Sequence, residues 1–296
     1  MIKMKNVIKG VLPDRLYDGV KKGKNSLTQE LAVRSLRCAI EEQGLSDLAK
    51  RLKSIEPDLR EQYSNFEVKG EYLNTKVRGV HAFQMSLVAE SLGMLKDVDN
   101  KELTVVDIGD SAGTHIRYAS ELFKERNIRS LSVNLDSEAV KRIREKGLVA
   151  LCASAEDVTR QISGDVDVFL CFETLEHLFN PVKFLHDISA NTGCRSLVVT
   201  VPYLRNSRVG LHQVRRSLTD PFNAENTHLF ELSPESWRLL FLFSGWKVVS
   251  EKVYWQYPKK HWLRLTRPYW RKNDFEGFYG AVLARDYKWS KLYTDW

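Results

Sequence analysis

Two rhythms divide the chain. In its first third, apolar residues recur at helical spacing: Leu27, Leu31, Val33, Leu36, Ile40, Leu45 and Leu48 predict a helix over Ser26–Lys53. Val80, Phe83, Met85, Leu87, Val88, Leu92 and Leu95 predict a second over Gly79–Leu95. From Lys101 onward, short β-branched runs alternate with helical stretches. Strands are predicted over Leu103–Ile108, Ser130–Leu135, Val149–Cys152, Val166–Phe172, Ser196–Val201, Trp246–Tyr254 and Phe278–Leu283. Helices are predicted over Thr114–Glu125, Ser137–Lys146, Val182–Ala190 and Pro234–Ser244, the last with Ser233 as N-cap and Pro234 at the first helical position. Strands and helices in alternation bury both faces of a mostly parallel sheet. The expected class is therefore α/β, a seven-stranded sheet with helices on both faces and a helical N-terminal extension. The division falls near residue 98: a helical region 1–98, and an α/β domain 99–296 with insertions near 203–226 and 254–275.

Composition changes this picture little. Hydrophobic residues at 43% and charged residues at 28% describe a packed globular chain rather than a disordered one. No apolar run reaches the ~20 residues that a bilayer-spanning helix needs. The first residues also lack the long apolar stretch of a secretory leader. Cys38, Cys152, Cys171 and Cys194 lack paired metal-ligand spacing and read as buried free thiols in a reducing cytoplasm. The net charge of +7 suits an anionic partner. It comes in short clusters, such as Lys21-Lys22-Gly23-Lys24, Arg215-Arg216 and Lys259-Lys260, which an ordinary soluble surface also carries.

The candidate chemistry begins where the first strand ends, in Asp107-Ile108-Gly109-Asp110-Ser111-Ala112-Gly113-Thr114. Open parallel sheets bind ligands beyond the carboxyl ends of their strands. Small residues let the backbone approach a ligand, and the following helix starts with free N–H groups. Asp136 closes the second strand, near the ~20-residue offset at which an acid grips ribose hydroxyls in nucleotide-binding folds. Alone, such a loop is equally an ordinary tight turn. It does not spell the Gly-x-Gly-x-x-Gly of dinucleotide-binding dehydrogenases.

Together with the segments that follow, the loop resembles the class I S-adenosylmethionine-dependent methyltransferases, in particular the group of the ubiquinone-biosynthesis O-methyltransferases. Asp107, Gly109 and Gly113 match the family's acidic-x-Gly-x-Gly-x-Gly motif, with Ser111 replacing the middle glycine. Asp136, in Leu135-Asp136-Ser137-Glu138-Ala139, matches the ribose-binding acid. Ala153-Ser154-Ala155-Glu156-Asp157 matches the segment beside the adenine, Phe169–Leu178 the fourth strand and its exit, and Val198–Pro202 the fifth strand. The resemblance spans roughly residues 75–285. It implies a Rossmann-like fold that holds S-adenosylmethionine with Asp107, Gly109, Ser111, Gly113, Asp136, Ser137, Ala155, Glu156 and Glu173.

Glu173, Glu176 and His177 follow the fourth strand, where the reactive methyl group is expected. Carboxylates and an imidazole suit magnesium or another divalent cation. His228, in Thr227-His228-Leu229-Phe230-Glu231, is a fourth ligand candidate. The Glu-x-x-Glu-His and His-x-Phe-Glu pair resembles the small-RNA 3′-end 2′-O-methyltransferases, whose metal holds the vicinal hydroxyls of a terminal ribose. Glu-x-x-Glu-His also occurs in the ubiquinone group, so it does not fix the substrate. Three uses stay open. The four residues hold a cation that orients the acceptor hydroxyl; or His177 or His228, beside Glu176, acts as a metal-free general base; or Glu176 and His177 cap the next helix.

Three segments outside this core could choose the substrate: the N-terminal helices with Arg78 and His81, Tyr203–Asn226 with Arg205, Arg208, His212, Arg215 and Arg216, and the aromatic and basic stretch Tyr254–Phe275. The expected function is O-methylation of a hydroxyl on a sugar-containing, anionic acceptor, a surface or capsular glycan. The alternatives are methylation of an RNA 2′-hydroxyl, of a small molecule, or no catalysis by a binding protein on this fold.

Overall fold

The computed structural model describes residues 29–63, 67–95, 102–162, 165–209 and 227–292. The start of the first predicted helix at Ser26, the Lys21–Lys24 cluster, and His212, Arg215 and Arg216 lie outside them. Seven strands form the main sheet: β1 (Leu103–Ile108), β2 (Ile128–Asn134), β3 (Ala150–Cys152), β4 (Val168–Phe172), β5 (Ser196–Pro202), β6 (Trp246–Trp255) and β7 (Gly277–Arg285). Their order is β3-β2-β1-β4-β5-β7-β6. The first five are parallel, and β7 runs antiparallel to both β5 and β6. Each predicted strand is present, with ends moved by at most two residues.

The helices are α1 (29–42), α2 (Ser46–Ile55), α3 (Gly70–Met94), α4 (Thr114–Leu122), α5 (Ser137–Glu145), α6 (Pro181–Asn191), α7 (Pro234–Phe243) and α8 (Arg267–Asn273). The continuous helix expected over Ser26–Lys53 is two helices, α1 and α2, separated by a turn at Gly44. α3 starts at Gly70, nine residues before the predicted start. Its first turns, Glu71–Lys76, are exposed to half-buried and mostly polar, so they carry no apolar signal. The Ser233 cap is present: its hydroxyl accepts the Ser236 N–H.

Alternation along the strands divides the core in two. Val106, Ile108, Phe169, Cys171, Leu197 and Val199 face one side and pack with Phe184 and Ile188 of α6 and Trp237 and Phe241 of α7. Val105, Val168, Leu170 and Val198 face the other and pack with Phe83, Leu87 and Val88 of α3 and Tyr118 of α4. α3 is thus continuous with the core of the sheet. Leu36 on α1 and Leu52 on α2 are also fully buried. Burial of the cysteines holds for Cys171 and Cys194 only; Cys38 is half-buried and Cys152 is exposed at the end of β3. Among the described residues no helix is long and apolar enough to cross a membrane.

Candidate active site

The carboxyl ends of β1, β2, β3 and β4 open onto a cavity of about 690 Å³. Gly109 and Ser111 from the loop after β1 line it, as do Asp136, Ala155, Glu156, Glu173 and His177. Asp107, Gly113 and Ser137, also expected at the cofactor, do not line it. Ser154, in the segment expected beside the adenine, also lines it, while Asn134, Thr174, Phe179, Thr227 and Leu229 were not among the site residues read from the sequence. Asn134 sits just before Asp136, a position whose polarity at a strand end was the available signal.

The loop after β1 is held in shape by its own polar groups. Gly109 has φ 99°, and a Cβ there would meet Thr174 Oγ1 at 2.4 Å. Gly113, with φ 70°, is the left-handed residue from which α4 starts. Asn134 Nδ2 donates to the carbonyls of Gly109 and Asp110, both at 3.2 Å. Asp110 is 4% exposed and accepts the N–H groups of Ala112 and His115, and Nε2 of Gln62 at 3.1 Å. Asp107 is fully buried, and its Oδ2 lies 3.1 Å from His115 Nδ1. Burial pushes the Asp107 carboxyl up to about 6. Burial opposes a charge on His115, yet the carboxylates of Asp110 and Asp107 raise its imidazole to about 9. His115 is therefore an imidazolium at neutral pH, held between two acids beneath the loop. Asp107 shapes the cofactor loop from behind and does not face the cavity.

At the end of β2, Asp136 is the N-cap of α5: Oδ1 accepts the Glu138 N–H at 2.9 Å. This cap fixes the carboxylate at the cavity wall, next to the loop glycines. A 3₁₀ turn at Ala155–Asp157, capped by the Ser154 hydroxyl, brings Ala155 and Glu156 to the same cavity.

β4 exits through Glu173, whose φ of 49° is a left-handed conformation rare for a side-chain-bearing residue. Its N–H bonds to the Thr200 carbonyl at 2.8 Å, which turns the chain sharply into a 3₁₀ turn at Leu175–His177. That turn brings Glu176 and His177 together. His228 joins them, because Leu229 N–H binds the Glu176 carbonyl at 2.7 Å. One ligand atom each from Glu176, His177 and His228 lie within 4.8 Å of one another. Glu173 is outside that group and lines the cavity instead. The four-residue cluster expected from the sequence is thus a cluster of three with Glu173 nearby.

The protons in this cluster are assignable. His177 Nδ1 lies 3.0 Å from the Thr227 carbonyl, which can only accept, so Nδ1 carries the hydrogen. His228 Nδ1 lies 3.2 Å from Glu231 Oε1. Glu231 is 3% exposed; burial raises its pKa, but hydrogen bonds from His228 and Arg208 outweigh that and keep it below the usual range, so it stays a carboxylate. In the neutral form, a ring whose Nδ1 carries the hydrogen bears its lone pair on Nε2. Glu176 is 1% exposed, and among the described residues neither carboxylate oxygen has a hydrogen-bond partner. Burial, and then the charge of Glu173, push its carboxyl well above the usual range. Burial likewise raises Glu173 to about 8. A cation at this place would reverse the cost of ionising Glu176.

The N-terminal candidates are structural. Arg78 donates to Tyr118 Oη at 2.6 Å and to the carbonyls of Leu52 and Glu56, locking α2 to α3. His81 is 2% exposed, with its ring 5.0 Å from that of His115, and lines no cavity. Lys76 pairs with Asp274 at 2.5 Å, which also accepts from Tyr72, and its charge acts on Glu173 at the cavity.

Residues 106–190 match the family model described as a methyltransferase domain. A protein from Galdieria sulphuraria, described as a sarcosine dimethylglycine methyltransferase, superposes with a TM-score of 0.53 at 11% identity, over 81% of this chain and 98% of that one. The cyclase SpnF does so with a TM-score of 0.52 at 11% identity, over 81% and 94%. At such identity the likeness is one of fold. No curated protein sequence matches the chain.

Proposed function

We propose that this chain, which carries a class I S-adenosylmethionine-dependent methyltransferase domain, methylates a hydroxyl of an anionic, sugar-containing acceptor at Glu176, His177 and His228. The domain assignment is the premise. The shared fold of a cyclase is a reminder that the acceptor chemistry must come from the site and not from the fold.

The observation that carries this reading is that two imidazoles, each with Nδ1 against an oxygen acceptor, converge on a buried carboxylate whose oxygens have no hydrogen-bond partner among the described residues. A purely structural turn would leave Glu176 with donors; among the described residues this one has none within hydrogen-bond distance. The donor set, two imidazoles and one carboxylate, fits a divalent cation. Each imidazole is steadied from behind by an oxygen acceptor, the arrangement that fixes ligand histidines. Such a cation supplies a positive charge that orients an acceptor hydroxyl and lowers its pKa.

The chain's own residues do the rest. Asp136 and the Gly109–Ser111 backbone hold the ribose and amino-acid ends of the cofactor in the cavity. Glu173 stands between cofactor and acceptor at the end of β4. The acceptor oxygen forms its bond to the methyl carbon as the sulfonium–carbon bond breaks, and the sulfonium leaves as a neutral thioether. The hydroxyl proton is released toward Nε2 of His177 or His228 wherever that atom is free to take it. An RNA 2′-hydroxyl is the alternative acceptor, since a ribose offers the same vicinal oxygens. The test is methyl transfer from labelled S-adenosylmethionine to sugar, sugar-phosphate and RNA acceptors, with and without chelator. Transfer only to RNA overturns the glycan reading.

A further inference from the structure

Beyond Phe275, whose ring stacks on His228 at 5.6 Å, the chain gathers cations around a single acid. The acid is Glu276, 9% exposed. It accepts from Nε of Arg267 at 3.0 Å, from Nε of Arg271, and from the Tyr257 hydroxyl at 3.1 Å. Lys259 Nζ in turn donates to the Tyr257 oxygen at 2.9 Å and sits 3.1 Å above the centre of the Trp255 ring. No carboxylate among the described residues pairs with the Lys259 ammonium. Two guanidiniums thus share the Glu276 carboxylate, each committing only Nε to it, and the Lys259 ammonium stands one hydroxyl away, at Tyr257.

The arrangement is built, not a chance surface cluster. Gln43, in the turn after α1, fixes Trp255 through both its N–H and its carbonyl, at 2.9 Å each. Glu42 of α1 accepts the backbone N–H groups of Lys259 and Lys260 at 2.7 and 2.9 Å. Tyr257 and Trp270 are buried beneath, with Leu36 of α1. Tyr203, at the end of β5, packs edge-on against Trp255 at 4.8 Å. The platform therefore lies at the rim of the sheet where Trp255 pairs with Gly277 and Pro202 with Phe278. β4 delivers Glu173 and Glu176 at that same rim.

Like charges fixed side by side in a partly dry place repel, and an anion between them relieves that repulsion. Burial, and then the nearby Arg267, pull the Lys259 ammonium down to about 8, the sign of such a strained group. Planar guanidinium forks next to an ammonium suit a phosphate, which has oxygens enough for all three. The flat Trp255 edge beside it suits a sugar ring.

We propose that Lys259, Arg267 and Arg271, set over Trp255 and Tyr257, bind a phosphoryl group of the methyl acceptor, so that the acceptor is a phosphorylated sugar. The proposal rests on the acceptor reading of Glu176, His177 and His228. The phosphoryl group has two sources to separate, the acceptor itself or a free phosphate that merely occupies the platform.

Pyrophosphate and inorganic phosphate are titrated calorimetrically into the full chain, and S-adenosylhomocysteine binding serves as the control of fold. Lys259→Gln removes an exposed charge and Arg267→Gln a half-buried one. Pyrophosphate affinity that falls about tenfold in either variant, with S-adenosylhomocysteine affinity retained, supports the site. If Arg267→Gln fails to fold, Lys259→Gln alone decides. No binding of either anion by the wild type, or equal binding by the variants, overturns it. Methyl transfer to a hexose phosphate and to the free hexose then identifies the source. A preference for the phosphorylated form that Lys259→Gln abolishes assigns the anion to the acceptor, and equal transfer to both overturns that assignment. A failure of the hydroxyl chemistry at Glu176 and His228 shows differently, as no transfer to any hydroxyl while pyrophosphate still binds.

Discussion

His228 directs its Nδ1 at the buried Glu231 carboxylate, 3.2 Å away, while a ring nitrogen of His228 lies within 4.8 Å of ligand atoms of Glu176 and His177. The relationship is part of a chain, because Arg208 pairs with the other oxygen of Glu231. Glu231→Gln keeps the shape but removes the charge that fixes the His228 tautomer. Divalent-cation affinity should fall ~10–100-fold, the usual effect of losing a partner behind a ligand histidine. S-adenosylmethionine affinity should stay the same. Calorimetric titration with manganese and with the cofactor checks both, and unchanged manganese binding would sink the role given to Glu231.

Asp136 has two duties in the structure: it caps α5 and it walls the cavity. Alanine would confuse them, since loss of a cap alone costs about 1 kcal/mol. Asn keeps a capping oxygen and removes the charge. Hydrogen bonds from hydroxyls to a charged acceptor contribute about 1.5–3 kcal/mol, and a neutral amide oxygen accepts more weakly. Asp136→Asn should therefore weaken cofactor binding about tenfold while the melting temperature holds. Full affinity in a stable variant would remove Asp136 from the ribose site.

The α/β order was legible in the sequence because β-branched runs and apolar helical stretches are strong local signals, and the loop after β1 was legible because Gly109 and Gly113 must adopt positive φ. The convergence of Glu176 and His177 was legible only through the family resemblance, since their spacing brings them together only where the chain turns directly after β4. The role of Asp107 was not. Its burial against His115 depends on α4 starting at once from Gly113, and His115 carried no motif of its own. Gln62 was invisible for the same reason: its partner Asp110 is 48 residues away, and nothing local to either announces the contact. Arg78 and His81 read as pocket residues because polar side chains three apart share a helix face. The structure buries that face against α2 and α4, where carbonyls and Tyr118 satisfy Arg78.

The His115 network gives a pH dependence with a definite sign. Its folded pKa of about 9 lies above the ordinary histidine value of about 6.5, so the folded state holds the proton more tightly than the unfolded chain. The stability this contributes is complete below about pH 6.5 and is lost as pH rises through about 9. The loss is on the order of 3 kcal/mol. Asp107, raised to about 6, has already lost its own contribution below pH 7. Glu173, raised to about 8, pushes the same way as His115 in this window, so the wild-type slope alone does not separate them. Urea melts of wild type and His115→Gln between pH 7 and 10 should differ in slope, the variant being flatter. Parallel curves would show that His115 is not protonated in the fold.

Gly109 offers a test of the cofactor loop that charge does not complicate. Its φ of 99° is closed to L side chains, and a Cβ would press on Thr174 Oγ1 at 2.4 Å, with Thr174 itself at the cavity wall. Gly109→Ala should cost about 1–3 kcal/mol of stability and at least tenfold in cofactor affinity. Cofactor affinity within twofold of wild type would show that the loop backbone does not shape the binding surface.

Glu176 separates the three uses of its segment most sharply. Were it a structural cap, its oxygens would have donors and Glu176→Gln would lower the melting temperature. Among the described residues both oxygens lack hydrogen-bond partners, and burial disfavours the ionised carboxylate, raising its pKa well above the usual range. An amide of the same shape then replaces a group whose charge burial already opposes, so the melting temperature should change little, by no more than about 2 °C. A cation, however, needs the ionised carboxylate. Glu176→Gln should therefore reduce manganese affinity at least tenfold and slow methyl transfer, with S-adenosylhomocysteine affinity within about twofold, because the cofactor rests on Asp136 and the glycine loop. Wild-type activity should likewise fall in chelator and return with added manganese. Full activity in chelator eliminates the cation and leaves Nε2 of His177 or His228 as the general base. A large fall in melting temperature with transfer intact would instead return Glu176 to the fold.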